Sequence, residues 1–144
     1  MKQVDIYTDG ACSGNPGKGG WCAILLYKGA EKVVAGGMPM TTNNRMELFA
    51  ILAGLKALKE SCEVTVYSDS AYSINAFSLG WIDNWQRNGW KTGSKDEVKN
   101  KDLWQALLLE MERHKVSFVK VKGHADNVYN NRCDQYAVSE AAKL

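Results

Sequence analysis

The segment Val4-Asp5-Ile6-Tyr7-Thr8-Asp9-Gly10 constrains the chain most, because it reads as a strand that ends on a carboxylate. β-Branched and aromatic residues alternate with polar ones, and a glycine closes the run. The alternation puts Asp9 on one face with Asp5 and Tyr7, opposite Val4, Ile6 and Thr8. Aspartate is depleted in strands, and a buried carboxylate keeps its charge only beside a partner or a cation. Asp9 either starts a turn at Gly10 or helps to hold a metal rigidly, and the second reading needs further carboxylates at the same point.

Later segments supply three candidates, each with a simpler explanation of its own. Thr41-Thr42-Asn43-Asn44 is a helix-start signal, and Leu48, Ile51, Leu52, Leu55 and Leu58 follow at helical spacing, which predicts one face packed on a sheet. Glu47 lies in the first turn of that helix, where its distance from Asn44 also matches a capping box. Val64-Thr65-Val66-Tyr67 is a short strand of buried type, ending at Ser68-Asp69-Ser70. Asp69 there either caps a helix from Ala71 to about Leu79 or sits beyond a strand's carboxyl end, where open α/β sheets bind ligands. Val116 to Lys122 is the last strand, and Gly123-His124-Ala125-Asp126-Asn127 a polar loop. A final helix from about Asn130 to Ala142 carries Asp134 near its start, where an acidic residue also suits the helix dipole.

The remaining segments frame these. Trp21 to Tyr27 and Lys32 to Met38 are predicted strands that form an antiparallel meander with the first. Cys12 to Gly20 reads as a glycine-rich turn; it is no phosphate-cradling loop, because Lys18 is followed by Gly19 rather than Ser or Thr. Between Gly80 and Lys101, Trp81, Trp85 and Trp90 alternate with Arg87, Lys91, Lys95, Lys99 and Lys101. Without a sustained apolar stripe, this pattern predicts a protruding helix and loop that grips a sugar-phosphate backbone. Asp102 is then expected to cap a helix bearing Leu103, Trp104, Leu107, Leu108 and Met111.

The 144 residues fit one domain, and the net charge of +2 is too small to establish a polyanionic partner by itself. Cys12, Cys22, Cys62 and Cys133 lie far apart with only His114 and His124 to join them, which argues against structural zinc and for buried thiols in a reducing compartment. With neither a signal core nor an apolar run of spanning length, the expected location is cytoplasmic and away from membranes. Four carboxylates from distant segments can converge at one end of a three-layer α/β domain only if something relieves their repulsion. Oxygen-only ligands suit Mg²⁺ or Mn²⁺, and two such ions roughly 4 Å apart form the clamp used in phosphodiester cleavage.

The stretches 8–17, Thr41-Thr42-Asn43-Asn44-Arg45-Met46-Glu47-Leu48, Ser68-Asp69-Ser70, Val121-Lys122-Gly123-His124-Ala125 and Asn131-Arg132-Cys133-Asp134 together resemble the motifs of bacterial type 1 ribonucleases H, in family order and spacing over essentially the whole chain. The resemblance implies a ribonuclease H-like fold: a five-stranded mixed sheet, three strands as an antiparallel meander and two parallel, flanked by helices. It implies a single catalytic domain over 1–144 with a basic handle at about 80–101, starting directly at the catalytic strand without an N-terminal hybrid-binding domain. The implied activity is endonucleolytic, largely sequence-independent hydrolysis of the RNA strand of RNA·DNA hybrids, leaving 5′-phosphate and 3′-hydroxyl ends.

By matching position, Asp9, Glu47, Asp69 and Asp134 hold two Mg²⁺ ions, with Mn²⁺ as a substitute, and His124 assists proton transfer or product departure. Asn15, Asn43 and Asn44 lie along the hybrid's minor groove and Thr42 near a DNA phosphate; Trp81, Trp85 and Trp90 with Arg87 and Lys91 form the handle's contacts. No obligate protein partner is implied, and the expected state is a monomer. Ala71 stands where many members have glutamine, and Asp83, Gln86 and Asn88 dilute the handle's charge, so weaker and more salt-sensitive hybrid binding is expected. Two other readings stay in view: a hybrid-binding module without catalysis, and another nuclease of the same superfold such as an integrase or junction resolvase.

Overall fold

A computed structural model of the chain describes residues 1–122 and 127–144. Among the described residues, five strands and five helices follow one another as β1 (Lys2–Gly14), β2 (Gly17–Tyr27), β3 (Ala30–Thr41), α1 (Asn43–Lys56), β4 (Cys62–Ser68), α2 (Ala71–Ser78), α3 (Trp81–Arg87), α4 (Lys101–Met111), β5 (Lys115–Lys120) and α5 (Val128–Ala142). The sheet order is β3-β2-β1-β4-β5. The first three strands form the expected antiparallel meander, and β1–β4 and β4–β5 are parallel pairs.

Each sheet face has its own core. Val4, Ile6, Ala23, Leu25, Val64 and Val66 point to one side and meet Leu48, Ile51, Leu52 and Leu55 of α1 with Trp104 and Leu107 of α4. Cys22 and Ile24 point to the other, where Cys133 of α5 packs on them beside Tyr7 and Tyr129. All four cysteines are free thiols. A hydrogen bond with Cys22, together with burial, pushes the Cys133 thiol far above its usual range, so it packs as a neutral group, its Sγ 3.2 Å from the Tyr7 carbonyl oxygen.

The glycine-rich stretch departs from its expectation as a turn. β1 runs on to Gly14 and β2 already starts at Gly17, leaving only Asn15 and Pro16 between them. Gly20, and Gly10 just before the stretch, sit in strands where helices press on the backbone. A Cβ on Gly20 would collide with the Ala137 and Ala141 backbone of α5. One on Gly10 would stand 2.5 Å from both the Glu47 nitrogen and the Met46 carbonyl carbon of α1.

The helix starts also differ in detail. Thr42 caps α1, its side chain accepting from the Arg45 N–H at 3.3 Å, so Asn44 and Glu47 do not form a capping box. Ser70, not Asp69, caps α2 by accepting from Ser73 N–H at 3.1 Å. Asn100, in left-handed conformation, precedes α4; Asp102 lies inside its first turn and pairs instead with Arg45. α5 begins two residues earlier than expected, capped by Asn127, which puts Asp134 in its second turn rather than its first. The simpler explanations for Glu47, Asp69 and Asp134 therefore each fail. No described helix is long and apolar enough to cross a membrane.

Candidate active site

The parallel pairing of β1 with β4 builds the site's base. Lys2 faces Cys62 and the register holds to Tyr7 opposite Tyr67, so Asp9 and Asp69 each follow two residues past a paired position. Both thus lie just past the last β1–β4 pair, at the carboxyl-terminal end of β4; β1 itself does not end at Asp9, as the sequence suggests, but runs on to Gly14 with Asp9 paired to Cys22 of β2. Glu47 comes down from the fifth residue of α1, where the bare Gly10 backbone lets that helix approach. Oxygens of Asp9, Glu47 and Asp69 lie within 4.8 Å of one another. Asp134 on α5 is near enough to Asp9 for their charges to repel but is not one of these three. His124 lies outside the described residues.

This is an electrostatically costly arrangement. Asp9 is 5% exposed and Glu47 4%. The Gly10 N–H donates to Asp9 Oδ1 at 2.9 Å and also to Glu47 Oε1, one donor for two carboxyl groups. Burial first, then the charges of Asp69 and Asp134, raise the Asp9 carboxyl from 3.8 to about 7 against the opposing hydrogen bonds of Glu47 and Gly10. Burial and the neighbouring Asp9 and Asp69 also raise Glu47 well above the usual carboxylate range. Both carboxyl groups are raised and hydrogen-bonded to each other, so they hold a proton as a pair. A divalent cation would replace that proton, and oxygen-only donors fit a hard ion such as Mg²⁺ or Mn²⁺.

A polar pocket flanks the carboxylates' helix. It is lined by Asn15, Thr42, Asn43, Asn44, Lys99 and Asn100. The Asn15 Oδ1 accepts from the Asn43 N–H at 3.1 Å, tying the β1–β2 turn to the start of α1. Asn100 is the member that reading the sequence misses. Its only local signal is an asparagine before a helix, a residue type that tolerates the left-handed conformation found there.

The handle corrects the expectation about its tryptophans. Trp81, Trp85 and Trp90 are half-buried rather than purely surface groups, and all three pack against the main core. Trp85 meets Trp90 at 6.1 Å and the fully buried Trp104 at 5.6 Å, between ring centroids. Ile82 and Val98 supply buried apolar contacts that the sequence pattern does not announce. Arg87, Lys91, Lys95 and Lys99 are exposed. Trp85→Ala is thus expected to cost about 2 kcal/mol of stability, whereas Lys91→Ala leaves the melting temperature in place; thermal denaturation of the two variants checks this.

A five-stranded β3-β2-β1-β4-β5 sheet between α1 and α5, with buried carboxylates at one end, defines a ribonuclease H-like α/β protein. Comparison with known proteins agrees. The RNase H family model matches residues 1–142. The chain is 63% identical over 139 residues to the Ribonuclease H of Caldicellulosiruptor saccharolyticus, covering 96% of each. It is 59% identical over 143 residues to the Ribonuclease H of Acetivibrio thermocellus, covering 99% of this chain and 97% of the relative. Among solved structures, LC9-RNase H1, a type 1 RNase H with the type 2 active-site motif, superposes with a TM-score of 0.88 at 29% identity, over 99% of this chain and 74% of that one. LC11-RNase H1 in complex with RNA/DNA hybrid shares the fold with a TM-score of 0.74 at 21% identity, over 97% of both chains. The chain belongs to the ribonuclease H family, in its bacterial type 1 branch.

Proposed function

We propose that this protein hydrolyses the RNA strand of RNA·DNA hybrids as a Mg²⁺-dependent endonuclease, acting as a monomeric single domain over 1–144 in the cytoplasm. The observation that carries this reading is the set of three carboxylates with oxygens within 4.8 Å, two of them buried. The family relatives are named Ribonuclease H, and one structural neighbour was solved with a hybrid. Asp9, Glu47 and Asp69, joined by Asp134, would hold the two ions, with Mn²⁺ able to replace Mg²⁺. When bound there, divalent ions lower the pKa of a nucleophilic water and stabilise the leaving oxygen.

The chain's own residues do the rest. The Gly10 N–H fixes the orientation of Asp9 and Glu47 together, and Ser70, by capping α2, leaves the Asp69 carboxylate uncommitted to the helix. His124 would assist proton transfer or product departure, tasks an imidazole suits. Asn15, Asn43 and Asn44 reach the minor groove, where the 2′-hydroxyl distinguishes RNA from DNA, and Thr42 a DNA phosphate. The exposed faces of Trp81, Trp85 and Trp90 pack on the DNA strand while Arg87 and Lys91 meet its phosphates. Four free cysteines accord with a reducing compartment.

A hybrid-binding module without catalysis has no use for buried acids facing a polyanion, so cleavage separates the two readings. End-labelled RNA·DNA hybrid, duplex RNA and duplex DNA are incubated with the protein, with and without Mg²⁺, beside Asp69→Asn. Cleavage of the hybrid's RNA strand by the wild type with Mg²⁺ alone is expected; preference for either other duplex overturns the assignment. Lys91→Ala is expected to raise KM more than it lowers kcat and to reduce the slope of log affinity against log salt by about one. An unchanged KM and slope would remove Lys91 from the substrate surface.

A further inference from the structure

We propose that Arg45 is a positioning residue for hybrid binding, acting through Asn100; the inference rests on the hybrid reading given above. Arg45 follows the three pocket residues Thr42, Asn43 and Asn44, and its side chain reaches across to the start of α4. Its guanidinium grips the Asp102 carboxylate two-pronged, Nη1 to Oδ1 at 3.0 Å and Nη2 to Oδ2 at 2.7 Å. The same Nη1 donates to Asn100 Oδ1 at 3.2 Å. The other end of that amide is also held: Asn100 Nδ2 donates to the Tyr72 hydroxyl at 3.2 Å, which accepts from Trp104 Nε1 at 3.2 Å as well. Trp104, fully buried, anchors the series in the core.

The consequence is geometric. One wall of the polar pocket belongs to α1 and the β1–β2 turn, through Asn15, Thr42, Asn43 and Asn44; the other is Lys99 and Asn100, at the end of the handle. Arg45 spans from the first wall's helix to the second wall, so it sets the pocket's width and fixes which face Asn100 shows. A partly exposed ion pair adds little stability, about 0–1 kcal/mol. What a planar two-pronged fork supplies is direction, which a lysine ammonium cannot reproduce. Residues separated by 28 to 57 positions are thereby registered on one backbone-binding surface.

The test compares Arg45→Lys with wild type, each also carrying Asp69→Asn for equilibrium binding to a fluorescent RNA·DNA hybrid. Arg45→Lys is expected to raise KM and the hybrid Kd about fivefold or more. Its kcat should stay within about twofold and its Tm within about 2 °C, because the carboxylate site and core are untouched. Asp102→Asn should shift KM in the same direction, and the double variant should be no worse than the poorer single one. Unchanged KM and Kd in Arg45→Lys, with hybrid bound by the wild type, overturns the proposal; so does a fallen Tm with KM unmoved, which would make the contact purely structural. Failure of the wild type to bind hybrid at all would instead overturn the functional reading on which it stands.

Discussion

Asp9→Asn will abolish nearly all turnover and, in the absence of divalent ions, make the protein more heat-stable at pH 8. The two effects have one cause. Asparagine fits the same space and its oxygen still accepts from Gly10 N–H, but it brings no charge to a metal site or to its neighbours. Metal-held phosphodiester chemistry depends on several kcal/mol of charge stabilisation, so kcat should fall at least about 10³-fold. The stability gain follows from the raised carboxyl. With a folded-state pKa of about 7 against 3.8, Asp9 binds protons in the folded chain that the unfolded chain has already released. Stability from this group is full below about pH 4 and is lost as pH rises through 7. The neutral amide escapes that loss, so the variant's Tm should exceed wild type by roughly 5 °C at pH 8 and converge with it by pH 4. Calorimetric melts in chelator across that range check the sign; a wild type that gains stability from pH 5 to 8 relative to the variant would contradict it.

Gly10→Ala will unfold or misplace the site although it changes no polar group. The added methyl would meet backbone of Met46 and Glu47 at 2.5 Å, and backbone cannot step aside as a flexible side chain can. Either β1 separates from α1 or the helix start shifts, and both carry Glu47 away from Asp9 and Asp69. Overpacking against rigid neighbours costs about 3 kcal/mol or more. Reduced Tm should therefore accompany loss of activity, and the activity loss should persist at a temperature where circular dichroism shows the variant folded. A variant with wild-type Tm and activity would mean that the close approach of α1 to β1 does not set the site.

The acidic residues are legible in the sequence to different depths. Asp9 and Asp69 stand out because a carboxylate within a strand or directly after one is unusual, and the parallel pairing of β1 with β4 aligns them. Glu47 is ambiguous in the sequence because capping chemistry uses the same letters; Thr42 taking the cap resolves it. Asp134 reads as a first-turn residue only when the helix start is placed two residues late, where Asn130 and Asn131 compete as caps with Asn127.

What stays hidden has physical reasons. Glycine in 10–20 signals a turn by composition, yet Gly10 and Gly20 serve close packing of α1 and α5 on the strands, which only the tertiary arrangement reveals. The tryptophans of the handle lack a helical stripe because the core they pack against also draws on Val98, beyond the helix. Arg45, Tyr72 and Asn100 carry no local signal, since the bonds that join them cross between α1, α2 and the start of α4.

A melting curve of the wild-type protein at pH 8, titrated with Mg²⁺ and repeated with Asp69→Asn, tests most directly whether these acids are gathered to share divalent ions. Binding to the folded state alone must raise Tm with ion concentration. The wild type should therefore gain Tm in a saturable way, with protons released as the ion displaces the one shared by Asp9 and Glu47, and Asp69→Asn should gain far less. An equal rise in both proteins, or none in either, would contradict a metal centre built on Asp9, Glu47 and Asp69.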